Sequence, residues 1–76
     1  MTITAVLNHE NYQTVIHNKQ HTIISDEPTH LGGNDTGMSP MAIMASSLAS
    51  CTLITMKMYA KRKGWNISQL EVSIKK

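Results

Sequence analysis

The sequence is poor in the features that usually hold a small protein together. Cys51 is its single cysteine, so a disulfide within the chain is excluded. The four histidines, His9, His17, His21 and His30, fall in different predicted strands and loops, whereas a zinc site needs ligands in a coherent geometry. We predict no metal and no cofactor. A domain of this length buries only about 60 % of its unfolded surface, so we expect a homodimer or a higher homo-oligomer.

Aromatic residues are scarce. Phenylalanine is absent, and Tyr12, Tyr59 and Trp65 are the aromatic side chains, which leaves no stacking platform for single-stranded nucleic acid. Lys and Arg outnumber Asp and Glu by seven to five, and three of the seven form the run 61–63. Because the helix dipole favours cations at a C-terminus, we interpret this run as a helix end and predict no nucleic-acid binding.

Signals for export and for membrane insertion are also missing. Apolar and polar side chains already alternate over residues 1–4, and the basic and apolar regions of a signal peptide are lacking. We therefore expect a cytoplasmic protein. Residues 41–56 carry no charge, but five hydroxyl residues interrupt them, and a membrane span needs about 20 mainly apolar residues. We therefore expect no membrane span.

The first 25 residues alternate between apolar and polar with a period of two, which is typical of short strands. Ile3, Ala5 and Leu7, for example, share one face of the first run. The polar segments 8–11 and 18–20 separate the runs at hairpin spacing. The pattern predicts a three-stranded antiparallel meander.

A loop and a helix follow. Residues 26–38 contain three of the four glycines, which indicates a loop. Ser39 offers an N-cap hydroxyl, and Pro40 suits the first helical position. Gly64 suits the left-handed position after a helix end. The sequence predicts one long helix over about 40–63, and we expect it to be buried because its first four turns are apolar or small on all sides.

Leu70, Val72 and Ile74 alternate with polar residues and predict one further strand that ends at Lys76. Together with the meander and the helix, this strand gives an α+β fold. We expect a single domain over residues 1–76.

Cys51 is the only credible nucleophile, but its local setting does not favour reactivity. It lies twelve residues after the predicted N-cap, whereas the helix dipole acts within the first turn. Its neighbours at helical spacing are Ser47, Leu48, Ile54 and Thr55, none of them charged, and a reactive thiolate needs a nearby cation or hydrogen-bond donors. From the residues alone, an inert buried cysteine is the better interpretation.

A series of short motifs changes this interpretation. In order and spacing they resemble the N-terminal half of the osmotically inducible (OsmC) and organic hydroperoxide resistance (Ohr) family, over residues 20–74. The motifs are Asp26-Glu27-Pro28, Gly32-Gly33 with Asp35 and Gly37, Ser39-Pro40, Leu48-Ala49-Ser50-Cys51-Thr52, Met58-Tyr59-Ala60 and Arg62-Lys63-Gly64-Trp65.

The resemblance implies an OsmC-like half-fold that intertwines with a second subunit, with active sites at the subunit interface. It also implies thiol-dependent reduction of organic hydroperoxides in oxidative and osmotic stress defence. Cys51 occupies the position of the catalytic cysteine. From their places on the same helix, we expect Thr52 or Ser47 to donate a hydrogen bond to its thiol. The thiolate becomes a sulfenic acid, which a second cysteine resolves as a disulfide and a dithiol then reduces.

The sequence differs from the family pattern in three places, and a second function therefore stays open. These residues contain no second cysteine. Met41 and Ala42 stand where peroxidatic members have a glutamate, and residues 1–38 contain no arginine, with Lys19 as their only cation. The alternative is a non-catalytic dimeric OsmC-like module that binds a small apolar ligand or a protein partner.

Overall fold

The structure is a computed structural model that describes residues 1–9 and 11–75. These residues form two compact units, Met1–Ile43 and Met44–Lys76. Glu10, in the first predicted turn, and Lys76, at the end of the predicted last strand, lie outside the described residues. The elements in chain order are β1 (Thr4–Leu7), β2 (Thr14–His17), β3 (Thr22–Ser25), a short 3-10 helix (Thr29–Leu31) and α1 (Pro40–Arg62).

The predicted meander is confirmed. The strands pair antiparallel in the order β1-β2-β3, and the register places Val6 opposite Val15 and Ile16 opposite Ile23. The second turn is closed by Asn18, whose side-chain oxygen accepts the backbone N–H groups of Gln20 and His21 at 2.9 and 2.7 Å. Local capping by asparagine therefore fixes the hairpin that the period-two pattern predicts.

Asp26 organises the glycine-rich loop between β3 and α1. Its side chain is buried, with 1 % exposed, and one carboxylate oxygen accepts the Glu27 N–H at 2.7 Å. The other oxygen accepts the Thr36 hydroxyl at 2.6 Å and the Thr36 N–H at 3.2 Å. These bonds join the two ends of the loop, and the Thr36 hydroxyl bond in particular holds the pKa of Asp26 below its ordinary value of 3.8.

A Thr36→Val variant is expected to be less stable than the parent chain in a pH-dependent way. Because the folded pKa of Asp26 is lowered, its hydrogen bonds stabilise the fold above pH 3.8 and are lost as the pH falls through the folded pKa. The difference in urea midpoint should therefore be largest near neutral pH and shrink in acid. The Gln13 amide also donates to this hydroxyl at 3.0 Å, but that neutral bond adds no pH dependence. If the urea midpoints of the two chains differed by the same amount near neutral pH and in acid, the role given to Asp26 would be contradicted.

Both ends of α1 form as the sequence predicts. The Ser39 hydroxyl accepts the Ala42 N–H at 3.1 Å, which is the bond expected of an N-cap. At the other end Gly64 adopts a left-handed conformation with φ of 77°, and the Trp65 N–H donates to the Ala60 carbonyl at 2.8 Å, as in a Schellman ending. The helix ends at Arg62, one residue before the predicted position.

The prediction that this helix is buried is wrong for the single chain. Ala60 is the only residue of α1 that is buried. Apolar side chains stand in solvent along the helix, including Met44 at 68 % and Leu48 at 60 % exposed. The sequence pattern predicts a helix whose side chains pack against other residues. In one copy of the chain, the described residues leave these side chains exposed. By length and composition α1 would also be able to cross a membrane.

The predicted last strand is likewise absent among the described residues. No helix, strand or turn is formed over 65–75. A strand requires a hydrogen-bonded neighbour, and the described part of the unit Met44–Lys76 contains no other strand. Alternation in the sequence therefore identifies a segment able to form a strand, but not the partner that would make it one.

Candidate active site

Cys51 lies at the middle of α1 and its side chain is exposed to solvent. It belongs to the continuous helix from Pro40 to Arg62. Both helix ends are more than two turns away, so neither terminal dipole acts on the thiol. The inert buried cysteine suggested by the local residues is not what the single chain presents, because the thiol is open to a small molecule.

The hydroxyls of Ser47 and Thr52, near Cys51 on α1, donate their protons to backbone carbonyls. The Ser47 hydroxyl donates to the Met44 carbonyl at 2.7 Å, and the Thr52 hydroxyl donates to the Leu48 carbonyl at 2.9 Å. Each hydroxyl has a single proton to donate. The prediction that Thr52 or Ser47 would donate to the thiol is therefore wrong in this conformation, since their protons satisfy carbonyls of the preceding turn.

No charged group of α1 comes close to the thiol. Lys57 is the nearest cation along the helix, six residues and about 9 Å of helix axis away, and its amine donates to the Ile67 carbonyl. Arg62, the single arginine of the chain, lies about three turns beyond Cys51. The helix thus presents an accessible thiol without a cation or a general base of its own.

The four histidines do not form a metal site within the part of the chain that the structure describes. No group of three or more His, Cys, Asp or Glu side chains in that part is arranged to hold a metal ion. His17 closes β2 opposite Thr22, and His30 lies in the short 3-10 helix.

An apolar cavity near the end of α1 has no counterpart in the sequence interpretation. The Trp65 ring packs edge-to-face on Tyr59, with centroids 5.7 Å apart and planes at 70°. The Lys63 amine lies 5.6 Å from the centroid of the same Tyr59 ring. The feature of the sequence that could have indicated this cavity is the placing of Tyr59 before Gly64 and Trp65 after it, because the turn at Gly64 brings the two rings together. Thr55, Met56, Tyr59, Ala60, Trp65 and Ile67 line this cavity of about 340 Å³.

Comparison with known proteins supplies the context for Cys51. The family model for OsmC-like proteins matches residues 32–76, which include the end of the glycine-rich loop, all of α1 and Cys51. No curated protein matches the chain, and no solved structure does so either. The matched segment covers more than half of the 76 residues. The chain therefore belongs to the OsmC-like protein family.

Proposed function

We propose that this chain is a thiol-dependent peroxidase that reduces organic hydroperoxides, with Cys51 as the attacking residue. The observation that supports the proposal is that the single cysteine of the sequence lies inside the family-matched segment and is exposed on α1. In the single chain this thiol can be reached by a small substrate. The setting is the cytoplasm, and the role is defence against oxidative and osmotic stress.

The reaction begins with the Cys51 thiolate. Its sulfur attacks the terminal oxygen of the hydroperoxide, so an S–O bond forms while the O–O bond breaks. The leaving alkoxide takes up a proton and departs as an alcohol, and Cys51 becomes a sulfenic acid. Two thiol groups of a dithiol then return Cys51 to the thiol, with release of water and a disulfide. The sulfur is oxidised by two electrons in the first half and reduced by two in the second.

Formation of the thiolate near neutral pH requires a positive charge or hydrogen-bond donors close to the sulfur. Neither comes from α1, where Lys57 and Arg62 lie too far along the helix. We assign this task to a second subunit. The exposed apolar residues of α1, Met44 and Leu48 among them, support a homodimer, because burying such side chains stabilises by about 25 cal/mol per Å².

The rate at which Cys51 reacts with cumene hydroperoxide tests this proposal directly. The reduced chain should lose its thiol, measured with a thiol reagent, faster than free cysteine does at the same pH. It should also react faster with cumene hydroperoxide than with hydrogen peroxide. A rate no greater than that of free cysteine would contradict the enzymatic function.

A second candidate is a non-catalytic dimeric module that binds a small apolar ligand or a protein partner. The cavity beside Trp65 favours it, because its lining is almost entirely apolar and apolar walls are typical of small-molecule sites. The absence of a cation near Cys51 along α1 points in the same direction. Ligand binding monitored by Trp65 fluorescence would not need the thiol.

A further inference from the structure

Side-chain hydrogen bonds join the first hairpin turn, between β1 and β2, to the glycine-rich loop that precedes α1. The Gln13 amide donates to the Thr36 hydroxyl at 3.0 Å, and the Asn11 amide donates to the Asn34 side-chain oxygen at 3.1 Å. Each bond spans 23 residues of sequence, and both lie within the first compact unit. The turn and the loop are therefore attached to each other by side chains that lie far apart in the sequence.

The buried carboxylate of Asp26 sets the direction in which these bonds donate. An ionised carboxylate can only accept hydrogen bonds, so the single proton of the Thr36 hydroxyl is given to Asp26, at 2.6 Å. The Thr36 oxygen can then only accept from Gln13, which must turn its amide nitrogen toward Thr36 and its oxygen away. The Asn8 amide donates to that Gln13 oxygen at 2.6 Å. Donation therefore runs in one direction, from Asn8 to the Asp26 carboxylate.

We propose that this one-way chain of Asn8, Gln13, Thr36 and Asp26 is a latch that holds the first hairpin turn against the glycine-rich loop. Gln13 connects the two segments because a primary amide both donates and accepts, so it can give a hydrogen bond to Thr36 and take one from Asn8. Glutamate has nearly the same shape, but its carboxylate cannot donate. The latch uses no residue of α1.

The backbone beside the latch supports this role. Asn11 in the turn and Asp35 in the loop both have a φ of 55°, a left-handed conformation that residues other than glycine adopt at a cost. Such conformations persist where surrounding contacts determine them. The Asn11 amide is bonded to Asn34, and the Asp35 N–H donates to the Glu27 carbonyl at 3.1 Å. Release of the latch should therefore open the loop around Asp35.

Hydrogen exchange of the Asp35 backbone N–H, followed by NMR, tests the latch because it reports local opening of the loop. In Gln13→Glu the carboxylate cannot donate to the Thr36 hydroxyl, so we expect Asp35 to exchange about tenfold faster near neutral pH, as for the loss of one hydrogen bond. Gln20→Glu is the matched control, since it makes the same change in the second turn, where the hydrogen bond of Gln20 comes from its backbone N–H. The control should exchange like the parent. Parent-like exchange in Gln13→Glu would overturn the proposal.

A second comparison separates the lost hydrogen bond from charge repulsion between the introduced carboxylate and Asp26. In a Thr36→Val background there is no hydroxyl to receive the bond, so adding Gln13→Glu should change the exchange of Asp35 by no more than about twofold. Repulsion would act without the hydroxyl, and a full tenfold effect in that background would overturn the latch. The His21 N–H in the second turn is the internal reference. If it accelerated as much as Asp35 in Gln13→Glu, the effect would be global and the local latch would be overturned.

Discussion

Replacing Cys51 by serine should reduce the consumption of organic hydroperoxide in the presence of a dithiol to the uncatalysed background. The sequence contains no other cysteine, so no second thiol can replace the lost nucleophile. A serine hydroxyl keeps nearly the same shape but is a far weaker nucleophile near neutral pH. Peroxide remaining over time, with dithiothreitol as the reductant, measures the effect.

Ser50→Ala is the control for this experiment. Ser50 is the exposed neighbour of Cys51 on α1, and its replacement by alanine tests whether any change to this stretch of helix impairs turnover. Alanine is also the best helix former, so the helix should be retained. Turnover that survives in Cys51→Ser, or that is lost equally in Ser50→Ala, would contradict the assignment of Cys51.

The same Cys51→Ser chain separates the two candidate functions. In the peroxidase proposal the variant loses all function. In the alternative, a chain without the thiol keeps its dimer and its affinity for an apolar ligand, because the cavity beside Trp65 contains neither Cys51 nor any residue adjacent to it in sequence. Ligand titration followed by Trp65 fluorescence, in the parent chain and in the variant, therefore distinguishes a reactive site from a binding site.

The elements that were predicted correctly have causes within a few residues of sequence. Strands β1 to β3 follow from a period-two pattern interrupted by asparagine turns, and Asn18 caps its turn with its own side chain. The start of α1 follows from Ser39 and Pro40, and its end from Gly64. Each of these signals acts through backbone geometry or a hydrogen bond over at most five residues. Sequence alone is sufficient for such local causes.

The features that sequence did not predict depend on contacts at longer range. The bond from the Thr36 hydroxyl to Asp26 spans ten residues of loop, and no pattern in the sequence announces it. The exposure of α1 and the unpaired segment after Trp65 depend on which surfaces cover them. Likewise, the Ser47 and Thr52 hydroxyls donate to backbone carbonyls. Residue type alone does not determine whether such a hydroxyl donates to a carbonyl or to the thiol.

Among the glycines of the chain that have no positive φ, Gly33 is the one whose replacement by alanine is expected to destabilise the fold most. A Cβ at this buried position would lie 1.9 Å from the Glu27 carbonyl oxygen and 2.9 Å from the Asp26 carboxylate. The first obstacle is backbone, so no side chain can turn aside, and the shift would also disturb the carboxylate that joins the ends of the loop. We expect a loss of about 3 kcal/mol and a melting temperature lower by about 12 °C or more, measured by circular dichroism.

Gly64→Ala provides the contrast that identifies the cause. No atom lies within 4 Å of a Cβ built at Gly64, but its φ of 77° is left-handed, so alanine there should cost about 1–2 kcal/mol through backbone strain alone. Gly33 has no positive φ, and its cost arises from the collision with Glu27. If both variants were destabilised equally, loss of glycine flexibility would explain the two results together. A clearly larger effect at Gly33 instead shows that the close approach of the loop to Glu27 and Asp26 holds the segment leading into α1, and hence the start of the helix that presents Cys51.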